Sequence, residues 1–236
     1  MATPTLLEER SMPRSMPTTP FLLAILVAGT AACFSARADA TTDLPDAPGA
    51  TQLATVSSRD SVIFAGGCFW GVEAVFERVN GVIAVTSGYA GGDTRQPTYG
   101  QVSTGTTGHA ESVKIVFDPA RVSYNQLLKV FFQVAHDPTQ LNRQGPDHGT
   151  QYRSAIYTSS EAQLSATNAY VAQLEKMKVF NGPIVTEVGG WQTFHEAEAY
   201  HQGYYDQHPN QMYIVINDKP KVEALAREFP DLYRTK

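Results

Sequence analysis

The chain has 236 residues, of which 42% are hydrophobic and 17% are charged, and this balance fits one globular domain with an additional segment. Its formal net charge is -5, and the basic residues form no cluster. Because phosphate binding relies on concentrated Lys and Arg, this charge pattern argues against nucleic acid as a partner and favours a small-molecule or protein substrate.

Residues 1–40 have the pattern of an export signal. Arg10 and Arg14 precede the apolar run FLLAILVAGTAA, and SARADA after it offers small residues at the spacing of a signal-peptidase site. The apolar run is shorter than the roughly 20 residues with which a helix spans a bilayer. We therefore predict a cleaved signal peptide over 1–40, an exported, periplasmic protein and no stable membrane insertion. An uncleaved N-terminal membrane anchor is the alternative.

Cleavage at this site would leave a mature protein with one cysteine. Cys33 lies within the predicted signal, so Cys68 would remain alone, and an intramolecular disulfide would be excluded. The next segment, 41–58, is rich in Thr, Ala, Pro and Asp without an apolar period, which predicts a flexible linker. The folded domain is predicted over 59–236.

Strand-like and helix-like runs alternate along the predicted domain. The predicted strands are SVIFA (61–65), VIAVTSGYA (82–90), ESVKIVFD (111–118), RSAIYTS (153–159), PIVTEV (183–188) and MYIVIN (212–217). The predicted helices are CFWGVEAVFERV (68–79), which Asn80-Gly81 ends, YNQLLKVFFQVA (124–135), EAQLSATNAYVAQLEKM (161–177), FHEAEAYHQGYYDQ (194–207) and PKVEALAREF (220–229). This mixed order indicates an α+β fold, a two-layer sandwich in which helices pack on a mixed or antiparallel sheet.

Cys68 lies where the first predicted strand gives way to the first helix, after two glycines. In the first turn of a helix, its thiolate would face unpaired backbone N–H groups and the positive end of the helix dipole. Both effects lower the pKa of a thiol, which is about 8.5 in an unperturbed cysteine, so the position predicts a reactive cysteine. A buried structural cysteine is the alternative, because free cysteine is among the most buried residue types.

Five separated motifs resemble those of the peptide methionine sulfoxide reductase A family. They are GCFWG (67–71), QPTYGQV (96–102), TGHAESVKIVFDP (107–119), GPDHGTQYRSAIY (145–157) and HEAEAYHQGY (195–204), in the order found in that family. The likeness extends from about 61 to 217. It implies a ferredoxin-like core. It also implies an enzyme that uses a thiol to reduce methionine-S-sulfoxide in oxidised proteins, with the free amino acid as a further substrate.

The resemblance implies a role for each matching site residue. Cys68 would attack the sulfoxide sulfur, and Glu111 would protonate the departing oxygen, with burial raising the pKa of its carboxyl group. Tyr99 and Tyr152 would donate hydrogen bonds to that oxygen. Asp147 would organise water or the substrate.

The same resemblance implies a role for two aromatic residues and the need for a reductant. Phe69 and Trp70 would form the apolar wall that receives the S-methyl group, which predicts selectivity for the S epimer. Many relatives carry recycling cysteines near the C-terminus, but this chain ends EFPDLYRTK. We therefore expect an external thiol or a thioredoxin-like partner to reduce the sulfenic acid of Cys68. We expect a monomer that needs no metal or organic cofactor.

Two other classes of protein fit part of the sequence. Cys68 with His109 or His148 and Asp147 would suit a thiol hydrolase. A redox sensor or peptide-binding module would need the thiol but not Glu111.

Two histidine patterns raise the question of a metal site. His195-Glu196 begins a zinc-protease motif, but Ala199 stands where the second histidine is required. Glu198 and His201 have the spacing found in di-iron bundles, but no second copy accompanies them. We therefore expect a surface or hydrogen-bonded pair.

Overall fold

A six-stranded sheet forms the centre of the computed structural model, which describes residues 43–49 and 52–236. The strands are β1 Asp60–Gly66, β2 Val82–Ala90, β3 Ala110–Phe117, β4 Arg143–Gln144, β5 Asp147–His148, β6 Ser154–Thr158, β7 Glu187–Gly190 and β8 His195–Glu196. The sheet order is β7-β6-β1-β3-β2-β8, while β4 and β5 form a separate hairpin. Neighbouring strands of the sheet are antiparallel except for the parallel pair β6 and β7.

Helices cover the sheet, as the α+β prediction requires. The α-helices are α1 Phe69–Glu77, α2 Tyr99–Val102, α3 Tyr124–Val130, α4 Glu161–Met177, α5 Tyr204–Gln207 and α6 Lys219–Glu228. A π-helical turn, Phe131–Ala135, continues α3, and a second one, Ile214–Asp218, runs into α6. The main core lies between these helices and the sheet, where Phe64 of β1 stacks on Phe131 with ring centroids 4.4 Å apart.

The predicted last strand, 212–217, is wrong, because this segment is helical. Its β-branched residues favour a strand when they are considered alone. In the structure Ile214 and Asp218 are buried while Ile216 is 61% exposed, a spacing that matches one helix face packed on the domain. Burial of that face therefore outweighs the local preference for a strand.

The predicted helix over 194–207 is also wrong. His195 and Glu196 form β8, which pairs with Tyr89 and Gly88 of β2. The chain then makes a 3-10 turn and reaches Gly203, whose φ of +62° is left-handed and precedes the short helix α5. The segment is therefore a sheet edge followed by turns.

Residues 43–49 pack against the domain, which differs from the flexible linker predicted over 41–58. Leu44 and Ala47 are buried in the main core. Leu44 N–H donates to Gln133 Oε1 at 3.1 Å, and Tyr170 O–H donates to the Pro45 carbonyl at 2.9 Å. Two apolar side chains at a spacing of three residues were too weak a pattern to predict this contact. The predicted signal peptide over 1–40, with Cys33, lies outside the described residues.

Replacing Leu44 by alanine is expected to lower the free energy of unfolding by about 2 kcal/mol, because it leaves a cavity under the packed segment. Leu44 is 3% exposed, whereas Leu53 is 43% exposed, so Leu53→Ala is the matched control. Urea unfolding followed by circular dichroism measures both. Equal stability of the two variants would contradict the contribution of residues 43–49 to the fold.

No helix in the described parts of the chain combines the length and the hydrophobicity needed to cross a membrane.

Candidate active site

Cys68 lies at the junction between β1 and α1, as predicted. It is the N-cap residue of α1 and is 8% exposed. Gly67 before it has φ of +90°, a left-handed conformation that a residue with a side chain rarely adopts. This turn brings the sulfur to the N-terminal end of the helix.

The hairpin of β4 and β5 lies directly over Gly67. A Cβ atom built on Gly67 would be 2.5 Å from Cβ of Gln144, closer than such atoms approach each other. Gln144 is held in place because its side chain exchanges two hydrogen bonds of 3.1 Å with the backbone of Asp137. The absence of a side chain at Gly67 therefore lets the hairpin bring Asp147 to the site.

Replacing Gly67 by alanine is expected to lower the kcat/KM of catalysis at this site by at least about 10-fold, since small displacements of catalytic groups have effects of this size or larger. The methyl group would push the hairpin away and strain the backbone. Gly190→Ala is the control, because a Cβ at Gly190 meets no atom within 4 Å. Steady-state kinetics of both variants test this, and unchanged kinetics for Gly67→Ala would contradict the tight contact.

Glu111 lies beside the start of α1 on the helix-covered face of the sheet. It is 2% exposed, and its Oε2 accepts a hydrogen bond of 3.1 Å from the Phe69 N–H. Burial raises the pKa of Glu111 to about 8, and the nearby carboxylates of Asp147 and Asp218 act in the same direction, while the Phe69 N–H opposes them. Glu111 is therefore a protonated acid at neutral pH, in agreement with the predicted direction of its pKa.

The lowered pKa predicted for Cys68 is wrong. Burial raises the pKa of the thiol well above its ordinary value, and the carboxyl groups of Glu111 and Asp218 raise it further. The Trp70 N–H and the ammonium group of Lys221 act in the opposite direction but are outweighed. The helix N-terminus was the correct location and Glu111 was expected at the site, but the sequence analysis weighed neither burial of the thiol nor the second buried acid, Asp218. In this structure Cys68 is therefore a thiol at neutral pH.

Tyr99 and Tyr152 face the same site from two different loops. Tyr99 begins α2, and its N–H donates to Glu198 Oε1 at 2.9 Å. Tyr152 ends a 3-10 turn, Thr150–Tyr152. Burial raises the pKa of both phenols, and both interact electrostatically with Glu111 and Cys68. The structure thus brings the two predicted hydroxyl groups to the predicted thiol and acid.

Asp147 completes the predicted cluster from β5. Its carboxylate accepts a hydrogen bond from the Tyr213 hydroxyl group, and its charge acts on Glu111 and Tyr152. Burial raises the pKa of Asp147, while the hydrogen bond from Tyr213 lowers it. Asp147 is therefore tied by a hydrogen bond to the helical segment that contains Tyr213.

Aromatic rings form one wall of the site. Trp70 is partly exposed and stacks on Tyr204 with centroids 3.7 Å apart, while Tyr213 meets it edge-on at 5.9 Å. The Trp70 Nε1–H donates to His201 Nδ1 at 3.1 Å, and the buried Phe69 ring lies 4.9 Å from the His201 ring. Trp70 therefore offers a partly exposed aromatic surface next to the thiol, whereas Phe69 is 1% exposed and its ring packs inside the domain.

Sequence patterns did not single out Tyr204, Tyr213 and Asp218 for this site. Tyr204 and Tyr213 lie in the two segments whose secondary structure was predicted wrongly, so their orientation could not be inferred. Asp218 follows the second of these segments and is fully buried.

Glu198 and His201 belong to the site, where they hold its catalytic loops. Glu198 accepts hydrogen bonds from Tyr89 Oη at 2.8 Å and Tyr99 N at 2.9 Å, and His201 accepts from Trp70. Among residues 43–49 and 52–236, no group of three or more His, Cys, Asp or Glu side chains is arranged to hold a metal ion.

The histidines that a thiol hydrolase would need have other roles. His109 is buried, with Nδ1 accepting from the Gly92 N–H at 3.2 Å and Nε2 lying 2.9 Å from the Thr94 carbonyl. His148 is exposed in β5, where it pairs with Arg143. Both ring nitrogens of His109 are therefore engaged with the 91–94 loop.

A thiol, a protonated carboxylic acid and two phenols around one aromatic wall define an enzyme in which acid catalysis assists attack by a cysteine. Comparison with known proteins identifies the family. The sequence model described as "Peptide methionine sulfoxide reductase" matches residues 60–232. The chain therefore belongs to the peptide methionine sulfoxide reductase family, and it reduces methionine-S-sulfoxide in oxidised proteins in a thiol-dependent reaction.

Named relatives and solved structures agree with this assignment. "Peptide methionine sulfoxide reductase MsrA 2" of Mesorhizobium japonicum is 52% identical over 75% of this chain and 91% of its own length. A protein of the same name from Synechocystis is 48% identical over 75% of this chain and 83% of its own. Methionine sulfoxide reductase A of Corynebacterium diphtheriae superposes with a TM-score of 0.58 at 36% identity, covering 65% of this chain and 76% of that one. Mxr1 from Saccharomyces cerevisiae in reduced form superposes with a TM-score of 0.59 at 29% sequence identity. The match covers 66% of this chain and 92% of the Mxr1 chain.

Proposed function

We propose that Cys68 is the nucleophile and Glu111 the acid of the sulfoxide reduction. The observation that carries this proposal is the buried carboxyl group of Glu111 on the Phe69 N–H, one residue after the thiol. A sulfoxide oxygen leaves poorly unless it is protonated, and a carboxylic acid that keeps its proton near neutral pH supplies that proton. Asp147 orients the substrate or water through its link with Tyr213.

The reaction transfers one oxygen atom and two electrons. The Cys68 sulfur forms a bond with the substrate sulfur as the thiol gives up its proton, and Glu111 protonates the oxygen. The oxygen then moves to the Cys68 sulfur: the bond between the substrate sulfur and oxygen breaks, a bond between oxygen and the Cys68 sulfur forms, and the bond between the two sulfur atoms breaks as methionine leaves. Cys68 is left as a sulfenic acid. The thiol proton restores Glu111, so the net change converts thiol and sulfoxide into sulfenic acid and thioether.

The two walls of the site explain the choice of epimer. The S-methyl group rests against Trp70 and Phe69, while the oxygen faces the hydroxyl groups of Tyr99 and Tyr152. When the rest of the methionine side chain points to solvent, only one epimer of the sulfoxide can place its methyl group on the aromatic residues and its oxygen at the two hydroxyl groups.

An external thiol regenerates Cys68, because Cys68 is the only cysteine among the described residues. A first thiol condenses with the sulfenic acid and releases water, leaving a mixed disulfide on Cys68. A second thiol then frees Cys68 and carries away the disulfide. A dithiol protein of the thioredoxin type or a small thiol supplies both sulfur atoms.

The enzyme acts as an exported monomer in the periplasm. The support is the basic, apolar and small-residue pattern of residues 1–40. Cell fractionation with N-terminal sequencing of the mature protein tests export, and a mature chain that still begins at Met1 in the cytoplasm would contradict it. Light scattering tests the monomer.

Separated epimers test the catalytic proposal. The protein is mixed with the S or R epimer of a methionine-sulfoxide peptide and excess dithiothreitol, and methionine is followed by chromatography. We expect turnover of the S epimer by the Cys33→Ser protein and none by Cys68→Ser. Activity retained by Cys68→Ser, or turnover of the R epimer alone, would overturn the assigned roles.

A further inference from the structure

Asp218 is a buried carboxylate whose function the proposed reaction does not explain. Its side chain is fully buried, and neither carboxylate oxygen has a hydrogen-bond partner. Burying an unpartnered carboxylate is unfavourable, so such a group calls for a specific explanation. Within residues 43–49 and 52–236, the cation that pairs with it is Lys221, whose Nζ lies 3.7 Å from Oδ1, too far for a hydrogen bond.

The pair lies against the first turn of α1, three residues after Cys68. A Cβ atom built on Gly71 would be 2.1 Å from Asp218 Oδ1 and 3.2 Å from Lys221 Nζ. Both charged groups therefore approach the backbone of the helix that begins at Cys68. The carboxylate lies beside the first turn of the helix, where the helix dipole is positive, and the Lys221 side chain is 19% exposed.

Both charges also act on the sulfur. Asp218 disfavours the thiolate of Cys68 and Lys221 favours it. The charged and titratable groups that face Cys68 or Lys221 are Glu111 from β3, Tyr99 from α2, Asp147 from β5, Tyr152 from its 3-10 turn, Tyr213 from the last helical segment, and His136, which follows α3. None of these groups is an amine, so within the described residues Lys221 is the lysine whose charge opposes the buried acids at the sulfur.

We propose that Asp218 and Lys221 are a positioning pair for Cys68, in which Lys221 neutralises the buried carboxylate and so allows the sulfur to become anionic. This inference rests on the proposed role of Cys68 as the nucleophile. Burial raises the pKa of Asp218 to about 6 while Lys221 lowers it, so Lys221 keeps this carboxylate ionised at neutral pH and offsets its charge beside the sulfur. Lys221 thus favours the thiolate of Cys68, which burial otherwise disfavours.

Alkylation of Cys68 by iodoacetamide tests the pair without any sulfoxide. The reagent reacts with the thiolate, and its site is read from peptide masses of the full chain across a range of pH. Lys221→Met is expected to slow alkylation about 10-fold at pH 7.5 and to move the profile to higher pH, the effect of losing one nearby opposite charge. The double variant Asp218→Asn, Lys221→Met is expected to recover to within about 3-fold of the unmodified protein.

The controls separate charge from folding. Lys219→Met removes an exposed lysine from the same helix and should leave the profile unchanged, since Lys219 pairs with Glu223. Lys221→Gln replaces Lys221→Met if the latter does not fold, as judged by circular dichroism. Alkylation of either Lys221 variant at the normal rate, or a double variant as slow as the single one, would overturn the pair. An active Cys68→Ser protein would instead overturn the proposed reaction.

Discussion

Replacing Glu111 by glutamine is expected to lower kcat/KM for methionine-S-sulfoxide by about 100- to 10,000-fold, the range for loss of a general acid. Glutamine keeps the shape of the side chain and still accepts a hydrogen bond from the Phe69 N–H, so the local structure should be preserved. It cannot give a proton to the oxygen. Glu196→Gln is the control, because Glu196 is exposed in β8.

The pH profile separates loss of the acid from loss of structure. The pKa of Glu111 is raised to about 8, so the carboxyl group holds its proton below this pH and loses it above. Sulfoxide reduction should therefore fall as the pH rises through about 8, and this alkaline limb should vanish in Glu111→Gln. Alkylation of Cys68 in the variant should be faster than normal above this pH, because the Glu111 carboxylate disfavours the thiolate. A variant that keeps normal kinetics or the same alkaline limb would show that Glu111 is not the acid.

Removing both phenol hydroxyl groups is expected to have the next largest effect. In Tyr99→Phe with Tyr152→Phe, single-turnover reduction of the S epimer should slow by about 100-fold or more, as is typical when donors to a developing oxyanion are lost. The rings remain, so packing around Glu111 and Cys68 should persist. Both single variants should show smaller losses, because each phenol can partly replace the other.

Tyr205→Phe is the matched control for this double variant. Its ring packs under the Arg78 guanidinium group, 4.8 Å from the centroid and outside the catalytic cluster. Rapid-quench measurement of the methionine formed in a single turnover compares the double variant, Tyr205→Phe and the unmodified protein. Equal rates for the double variant and Tyr205→Phe would show that the phenols do not act on the oxygen.

Local patterns predicted the elements that carry Cys68 and Glu111. The helix predicted over 161–177 has the bounds observed for α4. Alternation in 111–118 placed Glu111 on the same side as Val113 and Ile115, which is the helix-covered face. The glycines before Cys68 marked the junction of β1 and α1. In each case, the residues of one short segment were sufficient for the prediction.

Patterns failed where distant contacts decide the structure. Residues 212–217 are helical because Ile214 and Asp218 are buried on one helix face, and no local pattern contained that information. The pKa of Cys68 rises because Glu111 and Asp218, 43 and 150 positions later in the chain, converge on it. Helix position alone therefore predicted the wrong direction for the thiol.

Trapping the oxidised enzyme tests the central claim most directly. The full chain with Cys33→Ser is mixed with the S epimer of a methionine-sulfoxide peptide without reductant, followed by dimedone, which labels sulfenic acids. We predict about one methionine per chain from the reaction of a single thiol, with the label on the peptide that contains Cys68. No methionine without reductant, or methionine formed while Cys68 stays unlabelled and alkylatable, would contradict a mechanism in which the oxygen passes to Cys68.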